Sequence, residues 1–175
     1  YDPAWAELAA RDFRELLSTW IGRDGECGEH GAYFGYAFHM DPGLKTWALH
    51  RKADILRDTN LAKTPEWIAY DTVPPVASWF PLDDCNLQPY NNYALYLTQA
   101  MLPDSRLMDW HVSRHGEVIG TYMQDVLAAL LLRREPVSPL PPELPRARLF
   151  RDHNLVHFRS DWGPDAFAAS FAVRW

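Results

Sequence analysis

The stretch Asp24-Gly25-Glu26-Cys27-Gly28-Glu29-His30-Gly31-Ala32-Tyr33-Phe34-Gly35-Tyr36 gathers a carboxylate, an imidazole and two phenols in a short span. Gly25, Gly28 and Gly31 loosen the loop that leads into an aromatic helix. Steps of four and three residues put Glu29, Tyr33 and Tyr36 near one helical face. A carboxylate and two phenols facing one way suit proton transfer on a sugar. A tyrosine serves as acid or base once nearby positive charge lowers its phenol from about 10. Glu29 fits either orientation of Tyr33 or capping of the helix, and Tyr36 fits either a cleft wall or the core.

Other residue types in the chain carry weaker chemistry. Asp83 and Asp84 form a carboxylate pair of the kind used for hydrolytic acid/base work, or a solvated loop that caps a helix. Trp79, close to them, suits stacking on a sugar ring and equally suits a core. His111 and His115 are four apart on one helix, a metal-compatible spacing without a third ligand. His153 and His157 flank a strand. Arg159 suits either the interface between domains or a substrate contact.

Composition bounds these readings. With 175 residues, 47% hydrophobic and 23% charged, the chain can bury a substantial core. Eight Trp and 14% aromatics suit a carbohydrate cleft or a heavily aromatic core. A net charge of -6 and the lack of a long basic stripe argue against a general nucleic-acid binder. They leave room for an anionic substrate met by local arginines. No apolar run approaches the roughly 20 residues of a membrane span.

The elements that must position these groups follow from periodicity. Trp5, Leu8, Ala9, Phe13, Leu16, Leu17, Trp20 and Ile21 keep the helical period. Asp2-Pro3, Asp41-Pro42 and Thr64-Pro65 each offer an N-cap followed by a first-turn proline. Further helices are expected over 31–39, 42–57, 65–72, 90–102, 105–115 and 121–133, joined by short connections. From Glu135 to Pro145 five prolines stop helix formation and make a stiff linker. Beyond it, 147–150, 155–159 and 167–173 are expected strands, with turns at Asp152-His153-Asn154 and Asp161-Trp162-Gly163-Pro164-Asp165. The expected organisation is a helical domain over 1–134, a linker over 135–146 and the opening strands of a β domain over 147–175. The chain opens at Tyr1 without Met and closes at Trp175 inside a strand, so part of a larger protein is expected.

That order carries a resemblance. Phe158-Arg159-Ser160-Asp161-Trp162-Gly163-Pro164-Asp165-Ala166, followed by an apolar strand, resembles the opening of the β domain in heparinase II/III-like polysaccharide lyases. Glu29, Tyr33 and Tyr36 keep the spacing of that family's Glu-Gly-x-x-Tyr-Trp-x-Tyr element, with Phe34 in place of Trp and His30 in place of Gly. Tyr1-Asp2-Pro3-Ala4-Trp5, Phe80-Pro81-Leu82-Asp83-Asp84 and Leu132-Arg133-Arg134-Glu135-Pro136 are similar to further family segments.

The resemblance implies a partial (α/α) toroid followed by the opening strands of a β-sandwich: mainly α, with β at the C-terminus. It implies β-elimination on an anionic, uronate-containing polysaccharide of heparin, heparan sulfate or alginate type. A base takes the C5 proton beside the carboxylate and an acid protonates the leaving O4. Tyr33 is then the candidate acid/base, with Glu29, His30, Tyr36, Trp79 and Asp84 as substrate contacts. The family's partner histidine would lie outside this chain, as would a downstream His-x-His element, of which one imidazole acts in catalysis and another binds a zinc-like divalent metal; no cofactor is expected within this chain, which alone would be inactive. A bacterial periplasmic or secreted setting is also implied. Cys27 and Cys85 fall in the two loops placed near the cleft, as a disulfide or as two thiols. An inverting toroid glycosidase using Glu29 with Asp83 or Asp84, and a non-catalytic glycan-binding module, are the competing readings.

Overall fold

The computed structural model describes residues 3–28, 34, 59–74, 78–82, 92–115, 130–132, 134–135 and 143–173. Helix α1 runs Pro3–Trp20. A 3-10 turn, Asn60–Lys63, leads directly into α2, Thr64–Tyr70. Strands β1 (Thr72–Val73) and β2 (Ser78–Trp79) pair antiparallel. Helices α3 (Asn92–Met101) and α4 (Arg106–His115) follow. Strands β3 (Ala147–Phe150), β4 (Leu155–Arg159) and β5 (Ala168–Ala172) form an antiparallel sheet in that order. Helices with small antiparallel sheets thus make a mixed α/β architecture, and no helix among the described residues is long and apolar enough to cross a membrane.

The sheet forms because its residues alternate. Leu155, His157 and Arg159 are buried on one face of β4, while Phe158 points out. Register places Phe150 opposite Leu155, Arg148 opposite His157, and Ser170 opposite His157 from the other side. Asn154 takes a positive φ of 50° and closes the β3–β4 turn, a conformation asparagine tolerates well.

One core joins the two kinds of element. Leu17, Ile21, Phe34, Leu61, Trp67, Tyr70, Trp79, Leu95, Tyr96 and Met108 cluster with Phe150 and Leu155 of the sheet. At its centre Trp67 stacks on Trp79 at 5.5 Å, and Phe34 meets both rings edge-on.

Two local expectations change. The helix expected over 65–72 stops at Tyr70, and Thr72 enters β1 instead. Asp71 turns the chain, and β-branched Thr72 and Val73 pair with Ser78 and Trp79. Thr64 does not cap α2; Lys63 holds that position, and the Thr64 hydroxyl donates to the Gly25 carbonyl at 3.0 Å. The preceding 3-10 turn already orders the helix start, which releases the hydroxyl for a long-range bond.

Candidate functional site

Glu29, His30, Tyr33, Tyr36, Asp83, Asp84 and Cys85 lie outside the described residues. Within the motif, Phe34 is helical and fully buried. Trp79, 1% exposed, stacked on Trp67 and met edge-on by Phe34, has no face open to a sugar; core packing is its role here. Cys27 is buried, with its backbone bridged to Ile21. His111 is buried against the Trp110 ring, and no group of three metal-ligating residues occurs among the described residues.

The loop that delivers the motif is not loose, as its glycines suggested, but clasped to the β3–β4 turn. Asp24 receives the Arg151 backbone amide at 3.1 Å and its Nε at 2.8 Å, and Nη2 closes the ion pair. Buried Glu26 accepts from the backbone amides of Asp24 and Asp152, each at 3.0 Å. In return Asp152 accepts the Arg23 amide at 2.7 Å and pairs with its guanidinium. The Arg151 side chain bonds Asp24 and holds its carboxyl down at about 2. The Arg23 amide does the same to Asp152, whose carboxyl is also lowered. Both carboxylates stay charged at neutral pH and are committed to ion pairs rather than to proton transfer.

Gly25 makes the clasp possible. Its φ of +92° suits glycine, and a Cβ there would sit 2.5 Å from the Lys63 carbonyl carbon. Gly28, one residue before Glu29, passes so close to the His153 ring that a Cβ would lie 3.2 Å from its Cε1. The turn of the sheet therefore abuts the chain immediately before the predicted site.

The second meeting point is made by the Phe158–Ala166 segment. Arg159 sends Nη1 to the Ala69 carbonyl at 2.6 Å, Nη2 to the Thr72 carbonyl at 3.4 Å and Nε to the Asp161 carbonyl at 3.2 Å. The terminal carbonyls of α2 are thereby satisfied in turn: Trp67 by the Asp71 amide, Ile68 by the Thr72 hydroxyl, Ala69 by Arg159. A cation also suits the negative end of the helix. Trp162 lies 4.4 Å under the guanidinium and edge-on to Tyr70 and Trp110. The Trp162 indole N–H donates to the Leu144 carbonyl, and Arg114 donates to the Trp162 carbonyl. Asp161 caps the following turn through the Gly163 amide. Arg159 thus ties the end of α2 to β4.

Tyr70 donates its hydroxyl to the Pro145 carbonyl, and burial pushes its phenol up to about 12, so it stays protonated. Arg151, Asp24 and Glu26 had no local signature in the sequence. Their partners sit more than a hundred residues away, and acid spaced by glycine looks the same in a loose loop. Comparison with family models, curated proteins and solved structures finds no match.

Proposed function

We propose that the chain is part of a heparinase II/III-like polysaccharide lyase that cleaves uronate-containing polysaccharides by β-elimination. The reading rests on the two sequence motifs. One observation supports it: the loop before Glu29 is clasped to the sheet's turn, and Arg159 of the second motif is clasped to the end of α2. A joint held at two points is the scaffold that a cleft between a helical layer and a sheet needs. Tyr33 is the acid/base that exchanges protons with C5 and O4, and Glu29, His30, Tyr36 and Asp84 contact the anionic chain; Trp79 is dropped from that set.

The finer fold belongs to the same proposal: a partial (α/α) toroid over 1–134, a linker over 135–146, and one sheet of a β-sandwich from 147. Leu149, Phe158 and Phe171 are exposed on the outer face of β3–β5, where a second sheet about 10 Å away would bury them. A zinc-like divalent ion would belong to that further β portion, and a periplasmic or secreted setting fits the substrate.

The test is incubation of the whole protein carrying this chain with heparin, heparan sulfate and alginate, followed by ultraviolet detection of the C4–C5 unsaturated product. Unsaturated product that disappears in Tyr33→Phe, with the fold retained, is the expected result. Saturated reducing ends would instead assign hydrolysis to Glu29 with Asp83 or Asp84. Binding without product, persisting in Tyr33→Phe, would assign a glycan-binding module.

A further inference from the structure

The proline-rich segment between the helices and the sheet is fastened at both of its ends. At its start Arg134 sends Nη2 to the Asp109 carboxylate at 2.8 Å and to the carbonyl of Pro103, between α3 and α4. Buried Asp109 also accepts from Gln99 of α3 at 3.1 Å, so one carboxylate ties this end to two helices. At its finish three successive carbonyls accept from three different places. Leu144 receives the Trp162 indole N–H at 3.2 Å, Pro145 the Tyr70 hydroxyl, and Arg146 the Arg159 amide at 2.8 Å. Tyr70 belongs to α2, Arg159 to β4, and Trp162 to the turn after β4. The Leu144 side chain packs against the common core.

The residue types suit this fastening. Pro145 fixes its own φ and holds Leu144 away from helical backbone, which leaves these carbonyls for partners elsewhere in the chain.

Other contacts cross between the two layers without using this segment. Arg151 and the Asp152 amide hold Asp24 and Glu26, and Arg159 holds the carbonyls of Ala69 and Thr72. Arg148 of β3 lies 3.4 Å from Glu66 of α2. The loop that carries Asp24 and Glu26 is itself bound to the helical side. Thr64 donates to the Gly25 carbonyl at 3.0 Å and Asn60 to the Ile21 carbonyl at 3.2 Å. Phe150 and Leu155 of the sheet complete the core that Trp67, Tyr70 and Met108 begin. Shared apolar burial, ion pairs and backbone hydrogen bonds make separate elements open together.

We propose that the helical layer and β3–β5 form one cooperative body, with the proline-rich segment strapped to it at both ends and not serving as a hinge. Moving the sheet away from α2 then requires opening the shared core, whereas a hinge would leave both layers intact. The inference stands on these contacts and does not depend on the lyase reading.

Native-state hydrogen exchange of the wild-type chain in low urea, corrected for intrinsic rates, tests it. The slowest amides of α2 and of β4 are expected to agree in protection within about fivefold and to share one urea dependence. A larger difference, or unequal urea slopes, overturns the single body. Val156→Gly gives the second reading. Val156 lies on the sheet's outer face, across from Leu149 and Phe171. The glycine is expected to lower β4 protection about fivefold, and α2 protection by the same factor. Loss confined to the sheet overturns the proposal. Should Val156→Gly fail to fold, a chain with a protease site inserted between Ser138 and Pro139 decides. After cleavage, two pieces that elute as one particle support the single body, and pieces that separate overturn it.

Discussion

Nη1 of Arg159 lies 2.6 Å from the carbonyl oxygen of Ala69, ninety residues earlier in the chain. This bond joins the last turn of α2 to the last residue of β4, and the same guanidinium covers Trp162 at 4.4 Å. One side chain therefore caps a helix, anchors a strand and orders the turn that follows it.

Arg159→Lys is expected to destabilise the chain by about 2–4 kcal/mol, close to the cost of Arg159→Ala. A lysine keeps the charge but cannot reach three carbonyls in a fork while stacking on an indole. Urea midpoints of the three proteins measure this; a lysine variant as stable as wild type would reduce Arg159 to a simple counter-charge for the helix end.

Asp24 gives a pH signature with a definite sign. Its carboxyl is lowered to about 2 in the folded chain, chiefly by the Arg151 side chain. A depressed carboxylate contributes stability that is present above its unfolded value near 4 and is lost as pH falls through about 2. Asp24→Asn is therefore expected to be less stable than wild type at pH 6, with the gap closing in strong acid. Half of the pair is exposed, so salt should narrow the gap as well. A gap independent of pH would show that the clasp works through Asp24's shape rather than its charge.

Gly25→Ala is expected to cost about 2–4 kcal/mol, combining left-handed backbone with a methyl driven into the Lys63 carbonyl. The neighbouring Thr64–Gly25 hydrogen bond would stretch with it. By contrast Asn154→Gly, at the other positive-φ position among the described residues, should change the melting temperature little, because its conformation suits either residue. Equal losses at both sites would mean that backbone conformation alone, without the close approach, sets the cost.

How far the sequence spoke for the structure varies by element, for physical reasons. The strands expected over 147–150 and 155–159 match β3 and β4, and 167–173 contains β5, because apolar alternation is bounded by Asp152-His153-Asn154 and Gly163-Pro164. Helices α1, α3 and α4 fall within two residues of their expected bounds, since their apolar positions recur at helical spacing along each element. Strands β1 and β2 were invisible: two residues each give no period to detect, and Pro74 only marks a turn. The clasp of Asp24, Glu26, Arg151 and Asp152 was invisible for another reason. It is a long-range electrostatic arrangement, and nothing local separates acids that will be paired from acids that stay in solvent. Trp79 was ambiguous because a stacking ring and a core ring share one residue type.

The two faces of the C-terminal sheet should respond differently to the same change. Phe150 and Leu155 face the common core and are fully buried, whereas Phe158 and Phe171 are largely exposed and meet edge-on at 6.0 Å. Threonine keeps strand preference while removing apolar surface. Phe150→Thr is expected to cost about 3–5 kcal/mol, through the cavity left beside Tyr70 and His157. Phe158→Thr combined with Phe171→Thr should cost about 1 kcal/mol or less, the worth of one cross-strand aromatic contact. The double variant should also bind less of an apolar fluorescent dye, since it removes two exposed rings from the outer face. Urea unfolding and dye titration on the same samples separate the two effects. A double variant as damaging as Phe150→Thr would mean that the outer face is already covered in solution, and the second layer inferred for this sheet would then have to come from within the chain itself.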